Sequence, residues 1–351
     1  MKAAISIEHP AWAHQFRHII QEINRDGKTL VLAVDKDGDL KLLDSFGIRY
    51  AKLANSTGKN VLEKGFLFVK LCMSYYREIK RFDPDILIGR ASPMMAVAAK
   101  LLGKPHVLFE DTEVSKFSLN LCRRFSSCII TPEHFLTDLG EKQLRMPIYK
   151  ELFYLHEKEF SPDREILRKN GIDDTVPYII IRFVAWNASH DAGINGISEK
   201  EKVAFAENVS RLCRVYISSE AALPPQLEPY KLKAAYEDIH HILYYATAVI
   251  SEGASMASEA AVLGTHAFYL NEIASGTTEE QEEKYHLVRV LHDPATRYEA
   301  TLFELTEMMK DPELWKKGKE KRKKILEDMP DPNLVFLQKM EEAIGRREME
   351  K

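Results

Sequence analysis

Residues 248–264, with the sequence AVISEGASMASEAAVLG, decide the fold. The stretch begins with an apolar, partly β-branched run, passes through a turn of small residues and ends in an alanine-rich segment closed by glycine. A strand that leads through a short turn into a helix is the repeating unit of parallel α/β sheets. The first turn of such a helix leaves backbone N–H groups without intrahelical acceptors, and the helix dipole favours an anion there. The stretch therefore predicts an α/β fold and an anion-binding turn.

The same alternation of strand and helix patterns extends over most of the chain. Short apolar runs predict one set of strands at residues 3–7, 29–35, 48–53, 85–89, 106–110 and 128–131, and a second set at 178–184, 214–218, 248–251 and 267–270. The pattern lapses at residues 143–160, and from residue 297 onward only helix patterns remain. With about 150 residues per domain, we expect two Rossmann-like domains at residues 1–150 and 151–330 and a helical tail at 331–351.

Composition excludes several classes of protein. Lysine and arginine number 49 and aspartate and glutamate 53, so the net charge of −4 provides no basic field for a nucleic-acid partner. The four cysteines lie far apart, which favours reduced thiols and a cytoplasmic protein. No apolar run suits a signal peptide or a transmembrane segment. The basic stretch at residues 315–326 is best interpreted as a solvated helix face, with peripheral contact to anionic lipid left open.

The small residues of the deciding stretch are candidate nucleotide ligands. Ser251, Gly253, Ala254 and Ser255 would let a diphosphate approach the backbone N–H groups closely, with Ser255 as the expected N-cap. Glu259 follows one turn later on the same helix face, where a carboxylate could accept hydrogen bonds from two ribose hydroxyls. The alternative is a tight strand–helix turn that merely happens to consist of small residues.

Residues 238–264, DIHHILYYATAVISEGASMASEAAVLG, resemble the donor-binding segment of GT-B-fold enzymes. That group includes the non-hydrolysing UDP-N-acetylglucosamine 2-epimerases and the peptidoglycan N-acetylglucosaminyltransferase. The whole chain, with EHP at residues 8–10 and EDTE at 110–113, is most similar to the GT-B-like family called domain of unknown function 354.

This resemblance implies two domains that face each other across a cleft, with the co-substrate on the N-terminal side and a nucleotide sugar, a UDP-sugar above all, on the C-terminal side. It also implies a tail that crosses back to the first domain. Residues Gly253, Ala254, Ser255 and Met256 match the positions that meet the diphosphate, and Glu259 matches the ribose-binding acid.

Candidate catalytic residues follow two strands of the first domain. His9 comes after the first strand, where a doubly wound sheet places its ligand crevice, and its reference pKa suits a general base. Asp111 and Glu113 follow the fifth strand and could orient sugar hydroxyls or accept a proton. The alternatives are a surface-loop histidine and acids that cap the next helix.

Three polar residues at the end of the second domain's first strand complete the predicted site. Arg182 could hold a phosphate through two parallel hydrogen bonds, and Asn187 and His190 could hydrogen-bond a sugar or base.

Together these residues predict metal-independent and cofactor-independent glycosyl transfer from a nucleoside-diphosphate sugar to an unidentified acceptor. The alternatives are a 2-epimerase-like enzyme, a non-catalytic nucleotide-sugar binder, and a serine hydrolase. The hydrolase would use Ser255, which lies in a near match to the G-x-S-x-G elbow, together with Asp293 and His286 or His292.

Overall fold

The computed structural model describes residues 1–34, 39–53, 61–112, 116–184 and 198–349. The chain divides into two compact units, Met1–Glu159 together with Pro330–Lys351, and Phe160–Met329. Both units alternate strands and helices, so the predicted pair of Rossmann-like α/β domains is confirmed.

The first unit contains a parallel sheet. Its strands in the described residues are β1 (Lys2–Ile7), β2 (Lys28–Val34), β3 (Tyr50–Leu53), β4 (Ile86–Gly89), β5 (His106–Phe109), β6 (Cys128–Pro132) and β7 (Gln143–Met146). Its helices are α1 (Pro10–Asp26), α2 (Asp39–Ser45), α3 (Val61–Phe82), α4 (Pro93–Leu102), α5 (Lys116–Phe125), α6 (Leu152–Leu155) and, near the C-terminus, α14 (Pro332–Met349).

The strand order of this sheet is β3-β2-β1-β4-β5-β6-β7. Because β1 pairs with β2 on one side and with β4 on the other, the order reverses between β1 and β4. Ligands of doubly wound sheets bind beyond the carboxyl ends of the strands at such a reversal. Ala3, Ile5 and Ile7 on one face of β1, and Ala4 and Ser6 on the other, are all fully buried, as expected for a strand covered on both faces.

The first unit continues through Glu159, beyond the domain boundary expected at residue 150. The sequence pattern lapses in this region because β7 is a half-exposed edge strand and α6 is a single turn. Phe153 of α6 is nonetheless fully buried, and its ring packs against Phe16 of α1 and Phe336 of α14. These ring contacts place both α6 and the C-terminal helix in the first unit.

The second unit contains the other parallel sheet. Its strands in the described residues are β8 (Tyr178–Phe183), β9 (Arg214–Ser219), β10 (Ala248–Ser251), β11 (His266–Leu270) and β12 (Val288–Leu291). Its α-helices are α7 (Glu165–Lys169), α8 (Glu199–Ser210), α9 (Ile239–Tyr245), α10 (Ala254–Val262), α11 (Gly276–Tyr285), α12 (Arg297–Met308) and α13 (Leu314–Asp328).

The strand order of the second sheet is β12-β11-β10-β8-β9, and it reverses between β8 and β10. The deciding stretch at residues 248–264 forms β10 and α10, so it lies beside this reversal. Strand β12 and helix α11 have no counterpart in the sequence prediction, since β12 is a short edge strand and α11 is predominantly polar.

The basic stretch at residues 315–326 lies in α13 and serves contacts inside the second unit. Lys319 Nζ donates hydrogen bonds to the carbonyl oxygens of Tyr244 and Leu263, both at 2.8 Å. Arg322 donates from Nε to the carbonyl of Val262 at 3.1 Å. These side chains therefore donate hydrogen bonds to carbonyls at the C-terminal ends of α9 and α10. Among the described residues, no helix combines the length and apolar character needed to cross a bilayer.

Candidate functional site

The candidate nucleotide site lies at the carboxyl ends of β8 and β10. Ser251 ends β10 and pairs in register with Arg182 of β8. The chain then turns through Glu252 and Gly253 and enters α10 at Ala254. This edge of the sheet, where the strand order reverses, is where an open α/β sheet binds its ligand.

The turn between β10 and α10 is fixed by the hydroxyl of Ser251. Ser251 Oγ accepts a hydrogen bond from the Gly253 amide at 3.1 Å and donates one to the Gly253 carbonyl at 2.7 Å. The Gly253 amide is therefore already used. The first-turn amides without an intrahelical acceptor are those of Ala254, Ser255 and Met256.

The predicted N-cap is wrong by two residues, because Gly253 occupies that position and Ser255 is the second residue of the helix. Ser255 is exposed, and Met256 is half-buried. A side chain at residue 253 would approach Val184 Cγ1 to 3.3 Å, so the glycine also keeps the end of β8 close to the turn.

Glu252 is a residue that sequence reasoning missed. It is 2% exposed, and its carboxylate accepts hydrogen bonds from the Val184 amide at 3.0 Å and from the Tyr298 hydroxyl at 2.9 Å. Its carbonyl accepts a hydrogen bond from the side-chain amide of Asn271 at 2.8 Å. Burial raises the pKa of this carboxyl. Glu252 thus connects the carboxyl end of β8, the start of α12 and the residue after β11 to the turn.

Glu259 lies one turn after Ser255 on α10, as predicted from the spacing. Its Oε1 is 3.2 Å from Nε2 of His240, which lies on α9 and has a side chain only 4% exposed. The sequence pattern gives no direct signal for this contact, because the two residues are on different helices. His240 holds the candidate ribose-binding carboxylate in place.

Arg182 directs its guanidinium towards β9. Nη1 donates to Ser218 Oγ at 2.8 Å, and Nη2 lies 2.6 Å from a carboxylate oxygen of Glu220. The side chain is 21% exposed. Its positive charge therefore lies next to the candidate turn but is already paired. Asn187 and His190 lie outside the described residues.

In the first unit, His9 caps helix α1. The residue is exposed, and its Nδ1 accepts a hydrogen bond from the Ala11 amide at 3.2 Å. A neutral imidazole that accepts at Nδ1 carries its proton on Nε2. In this arrangement the ring can take up a second proton only at Nδ1, and that proton would break the hydrogen bond from the Ala11 amide.

Asp111 belongs to a buried network of charges. It pairs with Arg90 and lies 3.0 Å from Lys150, while Arg90 also pairs with Glu110. Burial alone would raise the pKa of Asp111, but the two cations outweigh it and hold that pKa well below its usual range. A carboxylate stabilised in this way is a weak proton acceptor. Glu113 lies outside the described residues.

The structure thus brings together Arg182 and the predicted residues of the β10–α10 segment in the second unit, which are Ser251, Gly253, Ala254, Ser255, Met256 and Glu259. In the first unit, His9 follows β1 and Asp111 follows β5 at the carboxyl edge of that sheet. Within the described ranges, no group of three or more histidine, cysteine, aspartate or glutamate side chains could hold a metal ion. Metal independence remains a prediction.

Ser255 does not adopt the backbone conformation that the serine-hydrolase alternative requires. A nucleophile elbow places its serine in a strained turn between strand and helix. Ser255 instead lies within the first turn of α10, and the described non-glycine residues with positive φ are Asp83 and His286.

Each of the two units contains a parallel sheet, and the strand order of each sheet reverses between two neighbouring strands. This arrangement defines a GT-B-like protein. The sequence model of the family described as "Protein of unknown function (DUF354)" matches residues 1–273, so the chain belongs to this family.

Among curated proteins, the chain is similar to the UDP-N-acetylglucosamine–N-acetylmuramyl-(pentapeptide) pyrophosphoryl-undecaprenol N-acetylglucosamine transferase of Shewanella pealeana. The two are 25% identical over 228 residues, which are 62% of this chain and 61% of that protein.

Solved structures confirm the GT-B-like fold. The UDP-N-acetylglucosamine 2-epimerase of Neisseria meningitidis, solved with UDP-N-acetylglucosamine bound, is similar with a TM-score of 0.67 at 13% identity, covering 97% of this chain and 100% of that one. A spinosyn forosaminyltransferase is similar with a TM-score of 0.67 at 14% identity, covering 98% and 99%. At these identities the likeness establishes the fold alone.

Proposed function

We propose that the protein is a GT-B-like glycosyltransferase that uses a nucleoside-diphosphate sugar, in particular a UDP-sugar, and an acceptor of unknown identity. The observation that carries this proposal is the open first turn of α10 at the strand-order reversal of the second unit. The similarity to UDP-sugar enzymes supports the same substrate class.

In the proposed complex, the diphosphate lies against the amides of Ala254, Ser255 and Met256. Their side chains leave room for the ligand, since Ala254 and Ser255 are small and Ser255 is exposed. The helix dipole adds to the attraction for negative charge at this position. One turn further along, Glu259 accepts hydrogen bonds from the ribose hydroxyls while His240 fixes its orientation.

Glycosyl transfer breaks the bond between the sugar and the diphosphate, so negative charge develops on the departing phosphate oxygens. Preorganised amides are well suited to stabilise that charge, and such stabilisation is commonly the largest contribution to catalysis. Arg182 adds positive charge from the neighbouring strand. In this scheme it stays paired with Glu220 and Ser218 and acts through space, rather than by clasping the phosphate.

The acceptor hydroxyl must lose a proton during transfer. We assign this role to His9, which would take the proton at Nδ1 and release the Ala11 amide. Asp111 is assigned to acceptor orientation, because Arg90 and Lys150 keep it ionised. Asn187, His190 and Glu113 remain candidate ligands on sequence grounds.

A panel of UDP-sugars and other nucleoside-diphosphate sugars tests the proposal by thermal shift. We expect at least one of them to raise the melting temperature of the wild type and of Glu283→Gln, a control at an exposed glutamate of α11. Glu259→Gln should lose most of the shift. A panel in which no nucleotide sugar changes the melting temperature would overturn the proposal.

Turnover separates the remaining alternatives. With an acceptor present, a transferase releases nucleoside diphosphate, which ³¹P NMR detects. An epimerase returns an altered sugar that is still attached to its nucleotide. A non-catalytic binder gives the thermal shift and leaves the ligand unchanged across all acceptors tested.

A further inference from the structure

Helix α3 of the first unit presents a row of apolar side chains to solvent. Phe66, Val69 and Met73 are 72%, 56% and 50% exposed. Their spacing places them on one face of the helix. The opposite face holds Tyr75 and Ile79, both fully buried in the core of the unit. The exposed row therefore contributes nothing to the packing that attaches α3 to its sheet.

Helix α5 contacts the inner side of α3 and carries one further exposed apolar side chain. Phe117 is 62% exposed, and its ring meets the ring of Phe68 edge-to-face at 5.8 Å. Phe66, Val69 and Met73, which share one face of α3, are called the apolar patch from here on. Large apolar side chains clustered on a surface usually mark a place where another phase or molecule docks.

Basic side chains lie on the same face as the apolar patch and on the neighbouring helix α5. Lys70 and Arg77 are exposed on the same face of α3, and Lys116 and Arg123 are exposed on α5. The sequences of α3 and α5 together contain eight basic and two acidic residues, in a chain whose net charge is −4. Positive charge is therefore concentrated on α3, which carries the apolar patch, and on the neighbouring α5.

We propose that this face of α3, with the basic side chains of the neighbouring α5, docks on an anionic lipid surface. Apolar side chains enter the boundary between headgroups and acyl chains, while the lysines and arginines pair with anionic headgroups. A second copy of the chain suits the face less well, because two such surfaces would bring like charges together. The inference does not depend on the nucleotide site.

Vesicle co-sedimentation tests this proposal with the intact protein. We expect binding to vesicles of phosphatidylcholine mixed with phosphatidylglycerol, and little binding to phosphatidylcholine alone. A triple variant, Phe66→Ser, Val69→Ser and Met73→Ser, should lose binding. The matched control replaces other exposed apolar residues, Leu136, Phe303 and Leu334, with serine and should bind as the wild type does.

A second variant keeps the apolar patch and changes only charge. Lys70→Glu with Arg77→Glu should lower the partition constant on the mixed vesicles roughly tenfold or more, and added salt should weaken wild-type binding. Equal binding to both kinds of vesicle, or none to either, would overturn the proposal. So would a dimer that the serine variant dissociates while vesicle binding stays unchanged, since the patch would then be an interface between copies.

Discussion

The carboxylate of Glu259 lies 3.2 Å from Nε2 of His240, a histidine buried on the helix before β10. Contact between two consecutive helices of the second unit, α9 and α10, thus fixes the position of Glu259, the side chain proposed to bind ribose. If Glu259 binds ribose, the orientation of its carboxylate depends on a buried residue of the preceding helix.

His240→Phe removes this hydrogen-bond donor and keeps an aromatic ring in the buried site. We expect the Kd for UDP to rise about tenfold, the lower end of the value of one hydrogen bond to a charged group. Isothermal titration calorimetry measures it. His241→Phe is the control, because His241 accepts its hydrogen bond from the Asp163 amide instead. Equal losses in both variants would argue against a specific role for His240.

The network around Arg90 is expected to be important for stability. Arg90→Met would leave the buried carboxylates of Glu110 and Asp111 without their shared cation. We expect the free energy of unfolding to fall by about 3–5 kcal/mol. Urea denaturation measures it. Arg81→Met breaks the exposed pair with Glu78 and should change stability by less than about 1 kcal/mol. Similar values for the two variants would contradict this account.

Glu252 predicts a specific pH dependence. Burial raises its pKa above the ordinary value of 4.5, so just above that pH the folded state keeps a proton that the unfolded state releases. The contribution of Glu252 to the free energy of unfolding therefore falls as pH rises from its pKa in the unfolded state to its pKa in the folded state.

Glu252→Gln should remove this slope, which can reach about 1.4 kcal/mol per pH unit. Urea denaturation across a pH series measures this slope for Glu252→Gln, for the wild type and for Glu283→Gln. Glu283→Gln should keep the wild-type slope. Parallel curves for wild type and Glu252→Gln would show that the carboxyl does not titrate in this range.

Gly264 ends the α10 segment with a positive φ of +72°. A Cβ at this position would lie 2.7 Å from the Gly318 carbonyl oxygen and 2.9 Å from Arg322 Cβ on α13. We expect Gly264→Ala to reduce stability by about 2–4 kcal/mol, from strain and overpacking together. Gly345→Ala, where nothing lies within 4 Å, should be neutral or stabilise by up to about 1 kcal/mol. Thermal or urea unfolding separates the two, and an unaffected Gly264→Ala would contradict the close approach of α10 and α13.

Much of the fold could be predicted from the sequence because buried parallel strands leave continuous apolar runs. Residues 248–251 match β10, and most other predicted strands match to within one or two residues. The strands that were missed, β7 and β12, are short edge strands with exposed positions. Sequence spacing also placed Ser255 and Glu259 on one helix, since that relation is local.

The parts of the site that escaped prediction depend on contacts between distant segments. The link from Glu252 to Tyr298 and the link from Arg90 to Asp111 join different strands and helices. Local patterns contain no information about such pairs. For the same reason, Arg182 could be recognised as a cation near the turn, but its pairing with Glu220 could not be foreseen.

In the proposed complex, the first turn of α10 binds the diphosphate. Ser255→Asp tests it most directly, because aspartate in the first turn suits the helix dipole and should leave the melting temperature unchanged or slightly raised. The same carboxylate would repel a diphosphate from the adjacent amides. Titration calorimetry with UDP should show binding to the wild type and at least roughly tenfold weaker binding to the variant. Equal affinity in the two proteins would contradict the claim.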